Sequence, residues 1–125
     1  MLNKVELIGR VGRDPELRYT KSGTAVCNFS IATSEKYKDS NGDKQEKTTW
    51  HSCIAWADLA EVANNHLKSG MLVYLEGRID YRKYEKDGIS YNKTDIRVQN
   101  MKFLSWPKDK PAETQSQPQN SDGGW

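Results

Sequence analysis

Thr49-Trp50-His51-Ser52-Cys53-Ile54-Ala55-Trp56, followed at once by Asp58-Leu59-Ala60-Glu61-Val62-Ala63-Asn64-Asn65-His66-Leu67, is the stretch that decides the fold. Its first eight residues read as a strand, and alternation turns Trp50, Ser52, Ile54 and Trp56 toward one face. In the second part Leu59, Val62, Ala63, His66 and Leu67 recur at the spacing of one helical face. Asp58 with Glu61 three residues on reads as a capping-box variant, and Gly70 as the residue that stops the helix. Leu72–Ile79 then returns to a period of two, with Val73, Leu75 and Ile79 on one side, Tyr74, Glu76 and Arg78 on the other, and a kink at Gly77.

Upstream, Val5–Val11 is a first strand, with Gly9 and Gly12 where a small barrel bends, and Asp14-Pro15 marks a turn. Leu17–Tyr19 is a short extended piece. After Ser22-Gly23, the apolar positions 25, 27, 29 and 31 of Ala25–Ala32 give a second strand with one face on a core. Residues 34–48 are polar, with four Lys beside four acids and a turn signal at Asn41-Gly42, and are expected to form a long mobile finger. A second finger turns near Asp87-Gly88, and Thr94–Val98 begins a fifth strand that runs on toward Phe103. The fold expected is therefore all-β: a five-stranded OB-fold barrel with one short helix between strands three and four. Residues 1–106 form this domain, and 107–125, made of Pro, Gln, Ser, Asn and Gly among a few charges, form a disordered polar tail.

A chain of 125 residues is long enough for one modest core. Its formal charge is +2; the tail holds two Lys against three acids, so residues 1–106 carry +3. Cys27 and Cys53 lie in apolar strand patterns without ligand spacing, so buried free thiols are expected, with no metal and no cofactor. No apolar signal region or membrane-length run is present, which points to a reducing, cytoplasmic, nucleoid-associated location and away from a membrane.

The two indoles of the opening strand have no obvious core around them. Further rings stand among cations in the fingers: Lys36, Tyr37 and Lys38 in the first, then Tyr81, Arg82, Lys83, Tyr84 and Lys86 in the second. Core aromatics sit inside apolar stretches; these sit in polar, turn-containing ones. Flat rings among cations suit an unpaired nucleic-acid strand, whose bases offer faces to stack and whose phosphates need neutralising. Arg78 adds a cation on the polar side of its strand.

The chain resembles the bacterial-type single-stranded DNA-binding proteins over about residues 1–105. The resemblance rests on Asn3-Lys4-Val5 before Leu7-Ile8-Gly9, on Asp14-Pro15-Glu16-Leu17-Arg18-Tyr19, on Ala32-Thr33-Ser34-Glu35 and on Trp50-His51. Leu59-Ala60-Glu61-Val62-Ala63, Lys68-Ser69-Gly70, Val73-Tyr74-Leu75-Glu76-Gly77 and Arg82-Lys83-Tyr84 follow in the same order. It implies sequence-independent binding of single-stranded DNA in replication, recombination and repair, with the base-stacking role on Tyr37, Trp50, Trp56 and Tyr84. Family members often have Trp where this chain has Tyr37 and Tyr84, commonly Phe at Trp56, and in some cases Arg at Ser52. It further implies a homotetramer with His51 at a subunit contact. Many members end in a run of acids and Ile-Pro-Phe that recruits replication and repair proteins. Here Asp122 and Trp125 are the candidates for a partner-binding tip; the other reading is a reduced tail, as in a phage-, plasmid- or competence-associated member.

An enzyme is not expected. His51 and His66 are the only histidines, Glu85 and Asp87 read as solvated loop acids, and no GxxxxGK loop is present. Two alternatives of other classes stay open. A primosome-type adaptor of the same fold would tolerate loss of the rings, and an RNA-binding barrel would depend on 2′-hydroxyls.

Overall fold

The computed structural model describes residues 1–105; the tail from residue 107, with Asp122 and Trp125, lies outside the described residues. The elements run β1 (Val5–Val11), β2 (Glu16–Tyr19), β3 (Ala25–Lys38), β4 (Lys44–Trp56), α1 (Asp58–His66), β5 (Leu72–Lys86) and β6 (Ile89–Phe103). The sheet order β1-β5-β6-β4-β3-β2, with a further β1–β3 pairing, closes five strands into a barrel and leaves β2 paired to β3. Closure uses two short seams: Arg10↔Ala32 and Val11↔Ile31 antiparallel, and Cys53↔Ile96 and Ile54↔Arg97 parallel. Five such strands with a helix between the third and fourth barrel strands are the OB-fold barrel expected.

Alternation fills the barrel. Cys27, Phe29 and Ile31 of β3, Cys53 and Ala55 of β4, and Val73 and Leu75 of β5 are buried in one cluster with Ile96 and Val98 of β6. β5 changes register at Glu76/Gly77, where a side chain at Gly77 would collide with the Arg97 carbonyl oxygen. Gly77 thus lets two strands approach closely where the barrel curves.

α1 departs from expectation in two ways. Of the expected face, Ala63 and Leu67 are buried and Leu59 packs against the core, but Ala60 is buried as well and Val62 is exposed. The packed face is rotated because two alanines bring the helix close to the sheet, a contact that the larger side chains would hold off. The cap also differs: Ala57, at φ 57°, precedes the helix without any side-chain cap bond, and Asp58 is already the first helical residue. Asp58 and Glu61 face the positive helix end instead. The helix stops at His66, and Gly70 sits in the turn beyond with φ 86°.

The fingers are regular β-ribbons rather than mobile loops. β3 and β4 pair without interruption from Val26↔Trp56 to Lys38↔Lys44, and β5 and β6 pair out to Lys86↔Ile89. Their polarity reflects solvent on both faces; the hydrogen-bond ladder is unaffected by it. The first tip is held by Asp39, whose N–H donates to the Asp43 carbonyl and whose carboxylate accepts from the N–H groups of Asn41 and Asp43. The Asp43 bond leads in holding the Asp39 carboxyl below its ordinary pKa. At the second tip Asp87 and Gly88 both have positive φ, 55° and 78°, the two-residue hairpin turn that follows strand twist.

Candidate nucleic-acid interface

Trp50 stands on the outer face of β4, opposite Ala32, and is 62% exposed. The outer edge of its indole rests over Gly12, where an added Cβ would lie 2.6 Å from Trp50 Cζ3 and 2.5 Å from Ser30 Oγ. That backbone is tied down on both sides: the Gly12 N–H donates to the Ser30 carbonyl at 2.9 Å, and Ser69 Oγ donates to the Gly12 carbonyl at 2.7 Å. The ring is therefore supported along one edge and open to solvent elsewhere, as a stacking platform needs.

Beside it lies a groove of about 470 Å³, lined by Trp50, Asn28, Arg13, Arg18, Arg82 and Lys93 among others. Its walls hold four cations, the last four of these, against the two acids Asp14 and Glu16. Arg18 Nη1 donates to Asn28 Oδ1, fixing one cation against the β3 surface. Ser52, also in the wall, donates its hydroxyl to Asp95 Oδ1 at 2.9 Å. Arg82 Nε donates to Asp95 Oδ2 at 2.8 Å, and Arg82 lies directly across the ladder from Lys93.

Of the residues singled out in the sequence, Trp50, His51, Ser52 and Arg82 line this groove. Trp56 shares the Trp50 face of β4, half-buried, with the Arg97 guanidinium 5.3 Å from its ring centroid. Six residues of strand separate the two indoles by roughly 20 Å, so they would serve different bases. Arg78, Arg82, Tyr84 and Lys86 share one face of β5 by alternation, whereas Lys83 lies on the other. Tyr84 stacks on Tyr91 with centroids 5.4 Å apart, which leaves one of its two faces for a base. On the β3–β4 ribbon, Lys36 and Lys38 alternate onto the Trp50 face, opposite Glu46 and Lys44, while exposed Tyr37 falls on the reverse face. The expected set is thus divided between a groove and two ribbons.

His51 points the other way from Trp50, half-buried, with Nε2 2.9 Å from Thr33 Oγ1; burial holds its imidazole below the ordinary pKa. Arg13, Arg18, Lys93 and Arg97 were not singled out in the sequence. Arg13 and Arg18 flank Asp14-Pro15, in the connection from the first strand, so their placement beside a turn was a readable signal. Lys93 and Arg97 needed the β5–β6 register.

Cys27 and Cys53 are buried free thiols, and desolvation pushes them up to about 11 and about 12, with the Asp95 charge adding to the second. Among the described residues no group of three or more His, Cys, Asp or Glu is placed to hold a metal ion. No helix among them is long and apolar enough to cross a membrane.

Known proteins share this sequence and shape. The Single-strand binding protein family matches residues 2–104. A single-stranded DNA-binding protein of Neisseria meningitidis is 58% identical over 104 residues, which cover 82% of this chain and 60% of that protein. Single-stranded DNA-binding protein 1 of Chlorobaculum tepidum is 48% identical over 105 residues, 82% of this chain and 65% of that one. The chain thus spans under two thirds of the length of these curated relatives. Among solved structures, the Plasmodium falciparum SSB in complex with ssDNA superposes with a TM-score of 0.77 at 30% identity, covering 84% of this chain and 96% of that one. A deletion mutant of the Thermus aquaticus single-stranded DNA-binding protein gives 0.73 at 32%, covering 83% and 51%. With the family matched across almost all of the barrel and its ribbons, and relatives alike over the same span, the chain belongs to the Single-strand binding protein family.

Proposed function

We propose that this chain binds single-stranded DNA without sequence preference, as a holding function with no chemical step. The observation that carries the reading is the open indole of Trp50 at the edge of a groove walled by Arg13, Arg18, Arg82 and Lys93. Bases of a single strand stack on Trp50, and on Trp56 and Tyr84 further along, while the cations neutralise phosphates and release counterions. Duplex bases already stack on one another and cannot use the rings, so preference for a single strand follows without base readout. Tyr37, Lys36, Lys38, Arg78, Lys83 and Lys86 extend the path over the ribbons, where the strand passes from one face to another. The named ligands of the family relatives support the same reading, and replication, recombination and repair are the settings in which it serves.

Assembly into a homotetramer is part of the proposal, with His51 near a subunit contact and one strand wrapped over several copies to gain avidity. Recruitment of replication and repair proteins through Asp122 and Trp125 is a separate proposal, tested by comparing partner capture before and after their replacement. The test of binding is tryptophan fluorescence during titration with oligo-dT, matched duplex and oligo-U at low and high salt. Quenching by oligo-dT that weakens with salt supports the reading. Stronger quenching by oligo-U turns it toward RNA, and no quenching by any of them turns it toward a protein-interaction module.

A further inference from the structure

A buried acid lies behind the groove wall, bonded to two of the lining residues, Ser52 and Arg82. Asp95 is 2% exposed and is the one buried charged residue among the described residues. A buried carboxylate is costly unless its oxygens are occupied, and here each is: Oδ1 by the Ser52 hydroxyl and Oδ2 by Arg82 Nε. The Arg82 side chain is 47% exposed and lines the groove beside Lys93. Guanidinium carries five N–H donors, and the Nε contact uses one of them, so the four on the Nη atoms remain to serve a ligand. A fork held at its base and open at its tip suits phosphate, which accepts two parallel N–H groups.

We infer that Asp95 is a positioning residue that aims Arg82 at a backbone phosphate of the bound strand, with Ser52 holding Asp95 in place. The inference rests on the single-stranded DNA reading above. Its opposite is a plain electrostatic one, and the two predict different signs. If Asp95 acts only as a negative charge near phosphate, removing the charge strengthens DNA binding. If it positions Arg82, removal weakens binding even though the groove becomes more positive. The Ser52 hydroxyl supplies the second bond to the Asp95 carboxylate beneath the groove.

The experiment is oligo-dT titration of the full chain across a salt series, read by tryptophan quenching, for wild type, Arg82→Gln, Asp95→Asn and the double variant. Arg82→Gln and Asp95→Asn are each expected to weaken binding roughly tenfold, as for one charged hydrogen-bonded contact. Each also flattens the slope of log K against log salt by about 0.7, one phosphate contact on a single strand. The double variant then binds no more weakly than Arg82→Gln alone. Should Asp95→Asn melt too low for titration, Ser52→Ala is used: a smaller loss that vanishes in the Arg82→Gln background supports the inference, and a loss of equal size there overturns it. Wild-type or tighter binding by Asp95→Asn, an unchanged slope, or a loss that adds in full to that of Arg82→Gln also overturns it. A wild-type chain that quenches with oligo-dT while Asp95→Asn matches it defeats this inference alone; a wild-type chain that binds no oligo-dT defeats the DNA reading with it.

Discussion

Gly12→Ala tests the seating of Trp50. The new Cβ would stand 2.6 Å from Cζ3 of the indole and 2.5 Å from Ser30 Oγ, where ordinary contact begins at 3.4 Å. Both neighbours must move by close to 1 Å, because the Gly12 backbone is bonded at its N–H to Ser30 and at its carbonyl to Ser69. The Ser30 hydroxyl rotates away at little cost. The indole edge has to lift, and with 62% of the residue exposed it lifts outward into solvent. Stability therefore falls by about 1 kcal/mol, the low end for an overpacked site. Binding loses some or all of one base stack, about 1–3 kcal/mol, or roughly 5- to 150-fold in Kd for oligo-dT. The assay is oligo-dT titration by fluorescence anisotropy, paired with thermal melting. Gly23→Ala is the control: Gly23 has φ 89° with no atom within 4 Å of a new Cβ, so alanine there strains the backbone and leaves the groove intact. It is expected to lower the melting temperature while binding oligo-dT as wild type does. Unchanged binding by Gly12→Ala, or equal losses in both variants, would refute the reasoning.

Trp50→Ala is expected to cost about 1–3 kcal/mol of oligo-dT affinity at temperatures well below melting; wild-type affinity would show that the groove is misplaced. Replacing Arg13, Arg18 and Lys93 together by Gln removes three groove cations and should flatten the salt slope by about 2, since each single-strand phosphate contact contributes about 0.7; an unchanged slope would place the phosphates elsewhere. His51 is held below its ordinary value of 6.5 by burial. The unfolded chain then takes the proton first, so stability is full above 6.5, declines as pH falls below it, and is lost through the lower folded value. Melting temperature followed from about pH 8 to pH 5 should fall less for His51→Gln than for wild type, and parallel curves would count against this cause. With thiols at about 11 and about 12, Cys27 and Cys53 should resist iodoacetamide near neutral pH until the chain is unfolded, as mass spectrometry would register.

The barrel was legible because its determinants are local. Alternation at positions 25, 27, 29 and 31, or at 73 and 75, depends only on which side chains face a core, and the buried cluster contains them all. Helix orientation was less legible. The spacing of Leu59, Val62, Ala63, His66 and Leu67 placed Ala63 and Leu67 correctly, but the sheet accepted Ala60 in place of Val62 because a small residue permits close approach. Ribbon length was hidden for a different reason. Strands exposed on both faces have no apolar period, so residues 34–48 resembled a loop until their pairing was known.

The site divides along the same line. Trp50, Trp56, Tyr84 and Arg82 stood out as candidates from ring and charge placement in the chain. That Tyr37 and Lys83 turn away from their neighbours followed from alternation once the ribbons were continuous. The seat of Trp50 over Gly12, the groove shared with Arg13 and Arg18, and the Ser52–Asp95–Arg82 relay each join residues distant in sequence. By itself the sequence determined the barrel, its one helix and the kind of chemistry on its surface, because periodicity and residue type act over a few neighbours. Only the tertiary structure decided which rings and charges meet, because register across the β1–β3, β2–β3, β3–β4, β4–β6 and β5–β6 ladders brings them together.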